Sequence, residues 1–586
     1  MNNRAFGGTI VAHHLRQADI THLFTLCGGH ISPILVSARD VGIHVIDVRD
    51  EAAAVFAADA YARLSGRPGV AVVTAGPGLT NTITAVKNAQ MAQSPVIIIG
   101  GATPTILKNR GSLQDIDQLS LMASLTKWQT SAATLPQLDT AMAKALRVCQ
   151  EGVPGPVFIE APIDILYPRQ LVHDMYRAQA GLDRLPKPLS IAAHSALDVY
   201  LKRQELQPSF ALPTNRMPAI RRSIRQILPG NDVYAVAAKL KKAKRPALVL
   251  GSQVLVNRTI EEAEVIAEAV KALGVPTWTG GMARGLLGGE HPSLFRHNRG
   301  RALAKADLVI VAGFPFDFRL NYGRGFARNA EIISANLSHH DLTMNRRPDV
   351  GLQQHPGDFL QALSVASDHV QRDDWFQFLR DGENDREDQI DQAADAVGDG
   401  VNPIAFFRKL DKRLQAGDLL VVDGGDFVAT AAYTLKPRSP LSWLDPGVFG
   451  TLGVGGGFVV GAMSCRPGDR AWLIYGDGSC AYSLAEFDTC IRHGFAPVAV
   501  IGTDASWGQI AREQEDMLGS NIGTNLLATA YEKVAEGYGG VGIRVEQDGD
   551  VDAALNQAIA ASTEGKPVCI NLILAKSDFR KGSISM

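Results

Sequence analysis

Short apolar runs alternate with helix-like segments along most of this chain, and that alternation sets the fold class. GGTIVAHHLRQADI (7–20) has helical spacing; HLFTLCGG (22–29) reads as a strand entering a glycine turn, and IHVIDVRD (43–50) as a second strand. EAAAVFAADAYARLSG (51–66) is built of good helix formers, with Gly66 placed to end it. GVAVVTAGPG (69–78) and SPVIIIGGA (94–102) are unbroken apolar runs of the kind buried on both faces of a sheet. Strand–helix alternation of this sort predicts parallel sheets covered by helices.

The pattern comes in three blocks. The first spans 1–168. Residues 169–230 lose periodicity and gain Pro, Arg and Gln, which predicts a partly helical connection. A second unit, 231–370, carries RPALVLGSQV (245–254) and ADLVIVAGFPFDF (306–318). The charged stretch 371–400 reads as a solvated helical linker. A third unit, 401–568, contains DLLVVDGGDF, RAWLIYGDGS, APVAVIGTDAS and KPVCINLILA, followed by a tail, 569–586. The expected fold is α/β, with three doubly wound parallel-sheet domains.

Composition narrows the function. A formal net charge of −2 provides no field that would select nucleic acid or an anionic membrane. The six cysteines are scattered without a CxxC pair, which disfavours a zinc site or a disulfide framework and points to a reducing compartment, the cytoplasm. The opening MNNRAFGGTIVAHHLRQ does not read as a signal peptide, and no 18-residue apolar segment offers a membrane span.

The chemistry concentrates at LIYGDGSCAYS (473–483). Gly476 and Gly478 let backbone approach a ligand, and Asp477 presents a carboxylate. Alone, Gly-Asp-Gly is a plain turn. Asp504, 27 positions on and after one helix and one strand, changes the reading. Such a unit brings the carboxyl ends of neighbouring parallel strands to the crevice where α/β sheets bind ligands. Asp477 and Asp504, with a carbonyl such as that of Ser506, form an oxygen set suited to Mg²⁺. Gly478 and Ser479 open the next helix and offer N–H groups to phosphate.

With these residues in view, the chain resembles the thiamine diphosphate enzymes of the acetolactate synthase and benzaldehyde lyase group, whose signature is GDG followed by an Asn-rich turn. TAGPGLTNTITAVKNAQMAQSPVIIIGG (74–101) is similar to that group's pyrimidine-binding domain, and Glu51 stands at its lone glutamate. Within the group, GGHISP, RGSLQDIDQLSL, GGMARGLLG, WLDPGVFGTLGVG, DASWGQIAREQ and DFRKGSISM resemble the 2-hydroxyacyl-CoA lyase branch. The chain departs from the signature at Thr503 and at Asp504, where the group has Asn; Asp keeps the oxygen donor.

The resemblance implies three domains: pyrimidine-binding, middle and diphosphate-binding. It implies that Glu51 hydrogen-bonds N1′ of the cofactor, leaving the cofactor's own 4′-amino group as the base. Leu452 is the expected wedge that bends the cofactor, the Gly450 carbonyl accepts the 4′-amino hydrogen, and Gly76, Asp426, Phe427 and Trp507 line the cofactor. His30, Gln114 and Glu513 are the substrate-pocket candidates, and Arg580, Lys581 and Ser583 of the tail are expected to close over CoA. The middle domain is expected to hold ADP, FAD or nothing; Asn336 stands where many nucleotide folds place an acid. The implied reaction is reversible cleavage of a 2-hydroxyacyl-CoA to formyl-CoA and an aldehyde or ketone. The alternatives are a CoA-independent carboligase or lyase, an FAD-dependent synthase or oxidase, and a catalytically silent binding subunit. The cofactor spans two chains in the group, so a homodimer at least, or a tetramer, is expected.

Overall fold

The computed structural model describes residues 6–205 and 228–575, together with Phe579. Its strands form three sheets, and every strand pair in them is parallel.

The first sheet contains β1 (His22–Thr25), β2 (His44–Asp47), β3 (Gly69–Val73), β4 (Val96–Ala102), β5 (Trp128–Ser131) and β6 (Val157–Pro162), in the order β2-β1-β3-β4-β6-β5. The two unbroken apolar runs became β3 and β4, each buried along its whole length. The alanine-rich segment is the helix Glu51–Ser65, and Gly66 beyond it takes the left-handed φ of 66° that a side chain would resist. After this sheet come two longer helices, Arg169–Gln179 and Lys187–Glu205. Asp164 holds them to it by accepting from the Tyr176 hydroxyl (3.0 Å) and the Gln204 amide (2.7 Å).

The second sheet contains β7 (Pro246–Leu250), β8 (Thr277–Thr279), β9 (Leu308–Ala312), β10 (Glu331–Asn336) and β11 (Val350–Gln353), ordered β11-β10-β9-β7-β8. The third contains β12 (Leu419–Asp423), β13 (Trp443–Leu444), β14 (Ala471–Gly476), β15 (Val498–Thr503), β16 (Val541–Val545) and β17 (Val568–Ile573), ordered β13-β12-β14-β15-β17-β16. Its register pairs Gly476 of β14 with Gly502 of β15, so the Gly-Asp-Gly turn and the Asp504 turn leave the sheet side by side. With its strands counted in chain order, this sheet repeats the 2-1-3-4-6-5 order of the first.

The charged stretch after the second sheet is the helix Asp373–Ala394. It is more than a solvated connection: Trp375, Leu379, Glu383 and Ile390 form a buried stripe along it. Trp375 and Leu379 belong to the core of the second sheet. The spacing of these residues is helical, but the surrounding charge hides it from a composition-based reading.

Candidate active site

In the first domain the site is built around Glu51, the first residue of its helix and only 7 % exposed. The side-chain amide of Asn81 donates to Glu51 Oε2 at 3.0 Å. Oε1 lies 3.3 Å from where a Cβ on Gly78 would stand, so the glutamate points directly at the 76–78 turn. Gly76 is left-handed (φ 61°), and its N–H donates to Gln118 Oε1 at 3.1 Å. A Cβ there would stand 2.9 Å from that of Gln114, itself left-handed at φ 64°.

His30 joins the same end of the sheet. Its Nδ1 lies 3.2 Å from the Thr74 hydroxyl, and burial lowers its pKa, which favours the neutral imidazole. Thr74 also packs where Cβ atoms of Gly28 and Gly78 would be. Glu51, Gly76, Gln114 and His30 are therefore brought together, and Asn81, Thr74 and Gln118 are the supports that sequence reasoning missed. Thr74 and Asn81 lie inside TAGPGLTN, but nothing local says which way they face.

The third sheet carries a second set of candidate residues. Asp477 is 2 % exposed; its Oδ1 accepts from the Gly478 N–H (2.9 Å) and its Oδ2 from the Ala505 N–H (2.8 Å), tying the two turns together. Burial, then the Asp504 charge, pushes its carboxyl up to about 7. Asp504 is also raised, chiefly by desolvation, while the Ser506 N–H at 3.1 Å favours the ionised form. A buried carboxylate beside a solvent-exposed one, the two repelling each other, suits a hard cation. The ring of Trp507 comes within 2.4 Å of where a Cβ on Gly478 would stand, so this turn admits only glycine, and bare backbone faces the phosphate position. These residues fit a diphosphate with Mg²⁺: Asp477 and Asp504 would hold the metal, together with a carbonyl of the Ser506 turn.

Several side chains near these turns are committed to the protein itself. Thr503 is buried and donates to Asn571 Oδ1 on β17 (2.6 Å), so it braces the sheet. The Ser479 hydroxyl donates to the Asp423 carbonyl (2.7 Å), leaving only its backbone to face a ligand. Phe427, expected at the cofactor, lies in the core: its ring fills the space beside Gly502 and packs against Phe407 at 4.7 Å. Asp426 is engaged on one side only: its Oδ2 accepts from Arg512 at 2.5 Å, while its buried Oδ1 has no hydrogen-bond partner among the described residues. On the helix Gly508–Leu518, Arg512 reaches this turn, while its neighbour Glu513 is half-buried. Leu452 is half-buried and rests on Gly424, whose Cβ would meet Leu452 Cδ2 at 2.0 Å, and Gly450 is exposed with φ 64°.

A cavity of about 650 Å³ opens between the second and third sheets, where sequence reasoning placed nothing. Arg284, Arg296, Arg299, Arg386 and Lys436 line it, with Tyr433 on its wall. Arg284 donates to the Ala432 carbonyl (3.0 Å) and stacks over Trp443 at 5.1 Å. Arg296 Nη2 donates to the carbonyls of Tyr433 (2.7 Å) and Leu435 (2.8 Å), while its Nη1 is buried without a hydrogen-bond partner. Burial, followed by repulsion from neighbouring arginines, weakens proton binding by Arg299. Arg296 also lies 3.7 Å from Glu387 and Lys436 pairs with Glu290 at 3.2 Å, but Arg284 repels both Arg296 and Arg299, and such a cluster of buried guanidinium groups suits a polyanion. Phe579 of the tail packs edge-on against Tyr433 at 6.2 Å with Arg386 over its ring at 5.5 Å; Arg580, Lys581 and Ser583 lie outside the described residues.

Two other places gather ligand-type side chains. His297, Glu383 and Glu387 bring three ligand-type side chains within 4.8 Å of one another. Their atoms are already engaged: Glu383 accepts the N–H groups of Arg296 (2.9 Å) and His297 (3.0 Å), and Glu387 accepts from Arg408 (2.6 Å) and pairs with His297 (3.1 Å). This is an ion-pair clasp, with cations where a metal would need room. At the carboxyl end of the second sheet, Asn336 Oδ1 accepts the Ser338 N–H (2.8 Å) and Gln253 Oε1 the Leu337 N–H (2.6 Å). Both are turned to neighbouring backbone, so these two oxygens do not suit a nucleotide ribose.

Comparison with known proteins agrees with this arrangement. Family profiles described as thiamine pyrophosphate enzyme, N-terminal TPP binding domain, central domain and C-terminal TPP binding domain match residues 6–121, 233–363 and 423–572. The 2-hydroxyacyl-CoA lyase 2 of Danio rerio is 44 % identical, over 99 % of this chain and 93 % of the relative. That of Homo sapiens is also 44 % identical, over 99 % and 92 %. The acetolactate synthase large subunit IlvG of Mycobacterium tuberculosis is 30 % identical, over 97 % and 95 %. With one profile on each of its three parallel sheets and relatives aligned along nearly its whole length, the chain belongs to the thiamine pyrophosphate enzyme family.

Proposed function

We propose that this protein is a thiamine diphosphate- and Mg²⁺-dependent 2-hydroxyacyl-CoA lyase. The bond between C1 and C2 of the acyl group breaks, the 2-hydroxyl loses its proton, and C2 leaves as an aldehyde or ketone. C1 takes up a proton and leaves as formyl-CoA; the reverse direction joins formyl-CoA to a carbonyl compound. Thiamine diphosphate, when bound, supplies the sink for the electron pair left at C1.

The observation that carries the CoA reading is the basic cavity. The helix Gly425–Thr434 begins at the Gly424–Asp426 turn and ends beside Arg296 and Tyr433. Its ten residues span about 15 Å at ~1.5 Å per residue, comparable to an extended pantetheine arm. A CoA ester could thus keep its phosphates among the arginines while its thioester reaches the cofactor turn. The relatives named 2-hydroxyacyl-CoA lyase 2 support the same choice over the more distant acetolactate synthase.

In this reading Glu51, steered by Asn81, shares a proton with the cofactor's pyrimidine. His30, neutral and paired to Thr74 through Nδ1, is the base for the 2-hydroxyl proton. Gln114 and Glu513 complete the substrate pocket.

The working form is proposed to be a homo-oligomer, a dimer or a tetramer. The helix Gly508–Leu518 has no buried residue; it and the following loop expose Ile510, Met517, Leu518, Ile522 and Leu527. An apolar group of this size beside a site suits a partner copy. Sedimentation should find a dimer or larger species, and an active monomer would contradict the reading. The activity itself is tested by supplying 2-hydroxyacyl-CoA with cofactor and Mg²⁺ and looking for formyl-CoA; conversion of pyruvate to acetolactate instead would favour the other branch.

A further inference from the structure

Asp423, the last residue of β12, is a wholly buried carboxylate. Its oxygens accept the Gly453 N–H (3.1 Å to each) and the Gly455 N–H (2.9 Å to Oδ2), at the start of the helix Val454–Cys465. Burial pushes its carboxyl up to about 7, opposed by these two N–H groups. Its compensation comes from a helix N-terminus, which keeps an added cation away from the cofactor turn.

The same residue touches three segments of the cofactor site. Its side chain fixes the backbone one position beyond Leu452. Gly424, its chain neighbour, supports the Leu452 side chain from behind. Its carbonyl accepts the Ser479 hydroxyl in the turn that carries Asp477. No other residue described above connects the wedge segment to the diphosphate turn by side chain and main chain at once.

We propose that Asp423 is a positioning residue: it fixes the height of the Leu452 wedge, and of the Gly450 carbonyl before it, relative to the diphosphate-binding turn. It acts on the cofactor through Leu452 and touches no reacting atom. The inference rests on the assignment of Leu452 as the wedge. An asparagine at 423 would keep the volume but set an NH₂ group against the Gly453 N–H, a donor facing a donor. A methyl group on Gly455 would stand 3.1 Å from Asp423 Oδ2, and would also crowd Leu473 Cδ1 at 2.9 Å and Tyr475 Cδ1 at 3.1 Å.

The test compares wild type, Asp423→Asn, Gly455→Ala and a control, Val421→Ala, a buried change on the same strand. Three readouts are taken at pH 8: thermal midpoint, thiamine diphosphate affinity with Mg²⁺ by calorimetry, and deuterium exchange at the cofactor's C2 by quenched proton NMR. The near-ultraviolet dichroism induced by bound cofactor is recorded alongside. The account expects Asp423→Asn and Gly455→Ala to keep affinity within about fivefold while C2 exchange slows by about tenfold or more and the dichroism weakens. Val421→Ala should lose stability with exchange unchanged.

Exchange at the wild-type rate in Asp423→Asn, or equal slowing in Val421→Ala at the same loss of midpoint, would overturn the proposal. If Asp423→Asn does not fold, Gly455→Ala decides by the same criteria. A wild-type protein that takes up no cofactor would overturn the cofactor reading itself, a result distinct from cofactor uptake with unchanged exchange. None of these readouts requires the substrate to be known.

Discussion

Asn81 and Glu51 form a hydrogen bond in the first domain's candidate site, the amide donating to Oε2 at 3.0 Å. It holds the carboxyl toward the Gly76–Gly78 turn with few rotamers left to it. Glu51→Gln should lower turnover by about a hundredfold or more while the thermal midpoint stays close to wild type. Asn81→Ala should lower turnover by about tenfold and leave cofactor affinity nearly unchanged. Near-wild-type turnover in Glu51→Gln would remove its assigned role.

On the diphosphate side, Asp477→Ala should weaken Mg²⁺-dependent uptake of thiamine diphosphate by about a hundredfold or more, because it removes a metal ligand and the brace to Ala505 together. Asp504→Asn keeps an oxygen donor and should cost about tenfold or less. Calorimetry at fixed cofactor and varied Mg²⁺ separates the two; equal losses would show that Asp504 acts by charge rather than as a donor.

The basic cavity predicts a split between substrate and cofactor. Arg386→Ala combined with Lys436→Ala should raise KM for a CoA thioester by about tenfold or more and leave thiamine diphosphate affinity and thermal midpoint nearly unchanged. The KM effect should shrink as salt is added. Truncation after Ala575, which removes Phe579 from Tyr433 and Arg386, should move KM in the same direction. A fall in kcat alone would place these residues elsewhere in the cycle.

Glu387 gives the acid-side prediction. Burial opposes its ionisation most strongly, yet hydrogen bonds from His297 and Arg408 and the charges of Arg408 and Arg296 outweigh it, holding the carboxyl at about 2 instead of 4.5. Its folded value is depressed, so the stabilisation is present above pH 4.5 and is lost as pH falls through 2. The contribution is about 3 kcal/mol at most. Glu387→Gln should therefore melt well below wild type at pH 6, with the gap closing toward pH 2. A gap independent of pH would mean that packing, not charge, holds the clasp.

Much of this was legible in the chain. Unbroken apolar runs gave the strands, and strand–helix alternation gave parallel sheets, because both depend on local periodicity. Glu51, Asp477 and Asp504 stand out as candidates since each sits in a short, ordered pattern at a strand end. Residues that act across the fold were hidden. Asp423 lies one place before a glycine turn that drew attention to itself, and nothing in VVDGGDF says that its side chain reaches Gly453. Phe427 was read as a ligand contact because a glycine-rich turn marks a site without saying which side chains face it; its ring lies in the core. The five cations of the cavity come from three stretches far apart in sequence, so no local run announces them. Trp375 and Leu379 were lost in the charge around them.

The central claim is that a CoA thioester, not a free 2-oxo acid, is cleaved here. The most direct measurement incubates purified protein, loaded with thiamine diphosphate and Mg²⁺, with a 2-hydroxyacyl-CoA and with pyruvate in parallel, and separates products by mass. Formyl-CoA and the matching aldehyde or ketone, with no acetolactate, is the result predicted. Acetolactate from pyruvate with the CoA ester left intact would contradict it.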